Sequence, residues 1–133
     1  MSPCVRVAIA SAGAFLFLVP LAMADDGIAG RWTGVVEQSD GQSYEAVMEL
    51  DNTGQGRSDY PSLDCTGKLS GTGSNGVYQF RETIVTGRAG EKSGHCVDGS
   101  ISLSVSGSVM DWSWSGSAQG QAITARATLA RER

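Results

Sequence analysis

Two cysteines, Cys65 and Cys96, stand in the part of this chain that reads as a folded domain, and any fold it adopts has to bring them together. The third, Cys4, precedes a run from Val7 to Val19 that is apolar except for Ser11 and Gly13 and is broken by Pro20. Arg6 is the only charge before that run, and Ala22-Met23-Ala24 forms a small-x-small step ahead of Asp25-Asp26. This opening reads as an export signal cut after Ala24, giving a signal over residues 1–24 and a single domain over 25–133. A membrane anchor needs about 18 or more consecutive apolar residues. Ser11, Gly13 and Pro20 interrupt this run, and no Leu-x-x-Cys marks a lipoprotein, so no membrane insertion is expected once the signal is removed. The expected location is the periplasm or the cell exterior.

In such an oxidising compartment a pair of cysteines in a small domain reads as one disulfide. Closing a loop of this length stabilises the fold by about 3–4 kcal/mol on chain-entropy grounds. A metal site is the weaker assignment. Cys65, Cys96 and the neighbouring His95 supply at most three ligands, and adjacent residues on a strand point to opposite faces. No cofactor fingerprint or glycine-rich phosphate loop occurs either, so neither cofactor nor metal is expected.

Charge narrows the partners. Cleavage removes Arg6 and leaves nine basic against fourteen acidic side chains, a net charge near −5. The basic residues, from Arg31 and Arg57 through to Arg131 and Arg133, are scattered rather than blocked together. Phosphate backbones would be repelled on average, so nucleic acid is not an expected partner.

The remaining sequence reads as one all-β domain. Gly30 to Gln38 forms a first strand. Tyr44, Ala46, Met48 and Leu50 then alternate with Glu45, Val47, Glu49 and Asp51, which gives one core face and one mostly wet face. Asp51-Asn52-Thr53-Gly54 signals a turn before a strand over 55–60. After a proline-marked bend, strands run over 66–73 and 77–86, joined by Asn75-Gly76, a step that favours a two-residue hairpin because both central residues need positive φ. Tyr78, Phe80, Glu82 and Ile84 share a face. A glycine- and charge-rich loop over 87–94 leads to Cys96. Strands then follow over 97–106, around Met110, Trp112 and Trp114, and over 122–130, where Ile123, Ala125, Ala127 and Leu129 share a face and Arg126 lies on the other. About eight antiparallel strands with no helical periodicity predict a meander closed into a small barrel, with a two-sheet sandwich as the alternative. A barrel of this size is filled by side chains or holds one small ligand.

The ordered set Tyr60-Pro61-Ser62-Leu63-x-Cys65-x-Gly67-x-Leu69, Phe80-x-Glu82-x-Ile84-x-x-Gly87-Arg88, Cys96 with Asp98-Gly99, Trp112-x-Trp114 and Ala125-x-Ala127-x-Leu129 resembles a family of small exported bacterial domains. In that family the pattern stands alone as a secreted protein or forms the extracellular end of bacterial serine/threonine kinases. The likeness covers nearly all of 25–133 and departs at Thr66, where the family commonly has a second glycine. It implies export and fold, and brings no activity with it. Gly30-x-Trp32 with Arg126 in the last strand is similar to the opening Trp and closing Arg of lipocalin-like barrels. Gly41-x-x-Tyr44 resembles the loop motif of small periplasmic inhibitors of lysozyme, with Asp40 where those have Ser.

Candidate site residues follow from the same pattern. Glu82 is placed among apolar neighbours, where an unpaired carboxylate is costly; Arg88 is the nearest cation and is expected to pair with it. Trp112 and Trp114 form a stacking platform for a ligand or else part of the core. Tyr60 and Asp64 flank the bend and are expected at the surface, where recognition residues gather. The catalytic inventory is thin. His95 is the sole histidine and neighbours a disulfide cysteine, the serines alternate along strands, and no carboxylate pair stands out. The reading is therefore a non-enzymatic exported domain that binds a small ligand or an envelope protein. The alternative is an inhibitor of an envelope-degrading enzyme such as lysozyme.

Overall fold

Period-2 alternation decides the architecture, because eight strands with one apolar face each can bury those faces only by closing on themselves. The computed structural model describes residues 27–91 and 94–133, so the export signal expected over 1–24 lies outside the described residues. The strands are β1 (Gly30–Gln38), β2 (Ser43–Leu50), β3 (Gln55–Tyr60), β4 (Cys65–Ser74), β5 (Val77–Thr86), β6 (Gly99–Ser106), β7 (Val109–Ala118) and β8 (Gln121–Arg131), with one 3-10 turn at Pro61–Leu63. Each pairs antiparallel with the next, and β8 returns to β1 through Trp32↔Arg131 and Val36↔Ala127, closing the barrel. The barrel expectation holds and the sandwich alternative does not. Cys65 and Cys96 form the expected disulfide.

Inward faces carry the core. Trp32, Val36, Ala46, Met48, Leu69, Phe80, Ile101, Leu103, Met110, Ala125 and Leu129 are all buried. The Asn75-Gly76 turn has φ of 55° and 83°, the left-handed pair that a two-residue hairpin needs. β4 and β8 each run one residue beyond both expected ends, and the start of β6 differs by more. β6 begins at Gly99 rather than Val97, because the Asp98 carboxylate accepts the Ile84 N–H at 2.8 Å and so takes the place of a ladder carbonyl. Regular pairing resumes at Glu82↔Gly99.

The two ends of the barrel differ. One end is plugged by Trp32, which is fully buried and donates its indole N–H to the Ile28 carbonyl at 2.9 Å. A tryptophan–arginine pair closes this end, but the arginine is Arg131 and not the expected Arg126. Its guanidinium lies 4.4 Å from the Trp32 ring centroid and donates to the carbonyls of Ala29, Gly27 and Gly107. The alternation that turns Ala125, Ala127 and Leu129 inward turns Arg131 inward too, and leaves Arg126 exposed across from Ser113 and Glu37. Replacing Arg131 by leucine removes a half-buried cation–π contact worth about 0.5–2 kcal/mol together with its carbonyl bonds. The melting temperature is expected to fall by about 5–10 °C, and by about 2 °C or less for Arg126→Leu at the exposed face. Equal losses in the two thermal melts would assign the plug to the wrong arginine.

Candidate functional site

The other end is built from the β1–β2 turn, the Pro61–Leu63 turn, residues 87–91 and 94–98, and the β7–β8 turn. The inward positions just below it are polar. Continuing the alternation of β3, Ser58 and Tyr60 point inward; β5 contributes Glu82, and β7 contributes Trp112 and Trp114. Glu82 is 1 % exposed. One of its oxygens, Oε2, accepts the Ser58 hydroxyl at 2.5 Å and the Tyr60 hydroxyl at 2.6 Å, while Oε1 accepts the Trp114 indole N–H at 2.9 Å. Gly67, on β4, leaves room for this knot: a methyl there would stand 2.5 Å from Ser58 Oγ and 3.0 Å from Glu82 Cγ.

These contacts set the protonation states. Burial pushes the Glu82 carboxyl above the usual carboxylate range, and the three donors pull in the opposite direction without cancelling it. Burial also raises the Tyr60 hydroxyl well above its ordinary value, with the nearby Glu82 adding to the effect. Tyr44 is pushed up to about 12 by burial, then by Glu82 and Asp40. Both phenols are therefore neutral donors at pH 7. Tyr44 gives its proton to Gln38 Oε1 at 2.7 Å and meets Tyr60 edge-on, with ring centroids 5.8 Å apart at 86°.

Above this floor lies a cavity of about 480 Å³. Tyr44, Tyr60, Leu63, Ile84, Val97, Trp112, Trp114 and Ile123 form its walls, with Gln38, Gln42, Ser62, Asp64, His95 and Ala118 nearer the opening. That volume lies within the roughly 300–1,000 Å³ span of small-molecule sites, and the mixture of many apolar walls with few polar groups is also theirs. Among the described residues no lysine or arginine lines it. Trp112 has a distinctive position: it is 2 % exposed, and its indole N–H has no hydrogen-bond partner among the described residues. An N–H left in that state costs about 1–3 kcal/mol.

Five of the six residues singled out from sequence thus line one cavity: Tyr60, Asp64, Glu82, Trp112 and Trp114. Arg88 does not. It pairs with Asp98 at 2.8 Å and donates to the Ile84 carbonyl at 3.0 Å, so the expected Glu82–Arg88 pair is corrected to Arg88–Asp98. Arg88 sits beyond the end of β5, beside Cys96. There it keeps its guanidinium in contact with water, and bringing it in to Glu82 would cost that hydration. Asp98 is held below the usual carboxylate range, first by the Ile84 N–H and then by Arg88. Tyr60, expected at the surface, is buried because β3 carries its inward alternation through to its last residue. Ser58 and Tyr44 were not among the candidates. Ser58 was signalled only by standing two positions before Tyr60. Among the described residues no group of three His, Cys, Asp or Glu side chains is placed to hold a metal ion. No family model, no curated protein and no solved structure matches this chain, so the reading of the site rests on its geometry.

Proposed function

We propose that this chain is an exported, non-enzymatic binding domain of the periplasm or cell exterior, and that it holds one small molecule in the open end of its barrel. The observation that carries the reading is the 480 Å³ cavity between the Trp112 and Trp114 wall and the Glu82 floor. Glu82 acts in it as a positioning residue. Its oxygens hold Ser58, Tyr60 and Trp114 from three directions and so fix the aromatic walls. The same arrangement argues against catalysis, since Ser58 is fully buried and the carboxylate that it meets is already held by Tyr60 and Trp114. The Cys65–Cys96 disulfide supports an oxidising location.

The test is a fluorescence titration with the uncharged dye N-phenyl-1-naphthylamine. The protein is expected to bind it with a blue-shifted, enhanced emission. Ile123→Trp, which fills the cavity from its wall, is expected to weaken binding at least tenfold; Ala118→Trp at the opening serves the same purpose if the first variant folds poorly. Absence of binding, or equal binding by folded wild type and filled variants, would remove the proposal.

A further inference from the structure

The basic residues are scattered along the chain, yet the register of the barrel gathers three of them on one outer face. Arg57 on β3 stands directly across from Lys68 on β4, and Arg81 on β5 stands across from Ser70, the next outward position after Lys68. Directly opposed side chains lie about 5 Å apart at Cβ and diagonal ones about 7–8 Å. The cations therefore form one tight triangle, and all of them are exposed. Among the described residues no ion pair includes any of them. The outward positions of β4, β5 and β6 carry no carboxylate. The acids that border the triangle are Asp59, two positions after Arg57 on β3; Glu49, across from Arg57 but bound to Arg31 at 2.8 Å; and Asp98, bound to Arg88 at 2.8 Å. Like charges placed directly opposite one another destabilise a sheet, so this face carries a cost within the monomer that an anionic partner relieves.

The side chains around the triangle say which kind of anion. Gln55, Ser70 and Thr83 stand beside the cations, with no exposed aromatic or methionine of the sort that anchors a protein partner or stacks a nucleic-acid base. The outward row of β5 that holds Arg81 ends in Val77, 56 % exposed, and Val85, 59 % exposed. Cations among small polar groups, with apolar side chains at the border, suit a lipid surface, where basic side chains meet acidic headgroups and the valines reach the interface. The net negative charge of the chain does not forbid this. At physiological salt charges are screened over about 8 Å, and the opposite wall of the barrel lies about 10 Å or more behind the face, so its acids act less on the headgroups than the face in contact does. We propose that the outer face of β3, β4 and β5 docks on an anionic lipid bilayer through Arg57, Lys68 and Arg81, without insertion. None of these residues lines the cavity, so the two sites stand or fall separately.

Flotation of the exported protein with vesicles tests it, using phosphatidylcholine alone and phosphatidylcholine mixed with phosphatidylglycerol in equal parts, at about 20 mM and about 500 mM salt. Wild type is expected to bind the mixed vesicles at least about tenfold more tightly than phosphatidylcholine at low salt, and to be released at high salt. Arg57→Gln together with Lys68→Gln is expected to weaken that binding about thirtyfold, at roughly fivefold per cation. Arg126→Gln together with Arg133→Gln makes the same change in net charge on β8 and just beyond it, and is expected to leave binding within about twofold. All four side chains are exposed, so both variants are expected to melt with wild type and to bind N-phenyl-1-naphthylamine as wild type does. Equal binding to the two kinds of vesicle, equal losses in the two double variants, or no binding to either vesicle overturns the proposal. Capture by immobilised dextran sulfate without vesicle binding also overturns it, and gives the face to an anionic polysaccharide.

Discussion

Replacing Glu82 by leucine lowers the melting temperature by about 15–20 °C, the larger part of a small domain's stability. The loss follows from what the carboxylate holds. Leucine is close to glutamate in size and suits its apolar neighbours, yet it accepts nothing, so Ser58 Oγ, Tyr60 OH and Trp114 Nε1 all lose their partner at once. Breaking a buried polar network by removing its central member costs about 3–5 kcal/mol. Glu82→Gln is milder, because the amide oxygen can take the Trp114 N–H and the two hydroxyls can turn to accept from the amide nitrogen. The glutamine variant also gives a pH test. The folded-state pKa of Glu82 is raised, so the protonated carboxyl contributes stability that is present below the ordinary value of about 4.3 and is lost as pH rises through the raised value. The advantage of wild type over Glu82→Gln is therefore widest near pH 4 and narrows toward pH 7. Asp40, Asp51 and Asp98, all held below the usual range, tilt stability the other way, but equally in both proteins, so the difference isolates Glu82. A gap between the two melts that widens toward pH 7 would reverse the assigned sign.

Loss of the disulfide is the second large effect. Cys65 begins β4 and Cys96 closes the long loop over the cavity, 31 positions later in the chain. Backbone bonds among the described residues also tie the loop: the Gly87 carbonyl accepts the N–H groups of His95 and Cys96, each at 2.9 Å, and the Cys96 carbonyl accepts the Ala89 N–H at 2.7 Å. The double substitution Cys65→Ser, Cys96→Ser is expected to cost about 3–4 kcal/mol through the freed unfolded chain, a drop of about 15 °C. It is also expected to weaken dye binding severalfold, because Cys96 and Val97 line the cavity. Melts and dye titrations of the double variant, made alongside wild type with and without a reductant, check both. A shift under about 5 °C would show that the strand ladders alone hold the loop.

The strands were legible because their alternation is local. β1, β3 and β5 run over the residues that the pattern marked, since Gly30, Asp51 to Gly54 and Asn75-Gly76 punctuate them with turn chemistry that needs no tertiary help. The partners of Glu82 were not legible, for a geometric reason. Ser58 and Tyr60 lie on β3 and Trp114 on β7, whereas β5 pairs with β4 and β6. They meet Glu82 through the barrel interior, and period 2 says which way a side chain points but not which inward residues come to share a level. Arg88 was chosen because it is near in sequence, and the same locality hid Arg131, which a longer run of the β8 alternation would have turned toward Trp32. The cavity was the least legible feature. It exists because Gln38, Ala118 and Ile123 near the opening are too small or too well hydrated to fill the cross-section that Trp32 and its neighbours fill at the other end, a matter of summed volumes rather than of any motif.

A crystal structure of the protein grown with N-phenyl-1-naphthylamine tests the central claim most directly. The account predicts density for the dye inside the barrel end, between Tyr44, Trp112 and Ile123 and above an intact Ser58–Glu82–Trp114 knot. Side chains filling that space, or dye seated only on the outer face of the barrel, would contradict it.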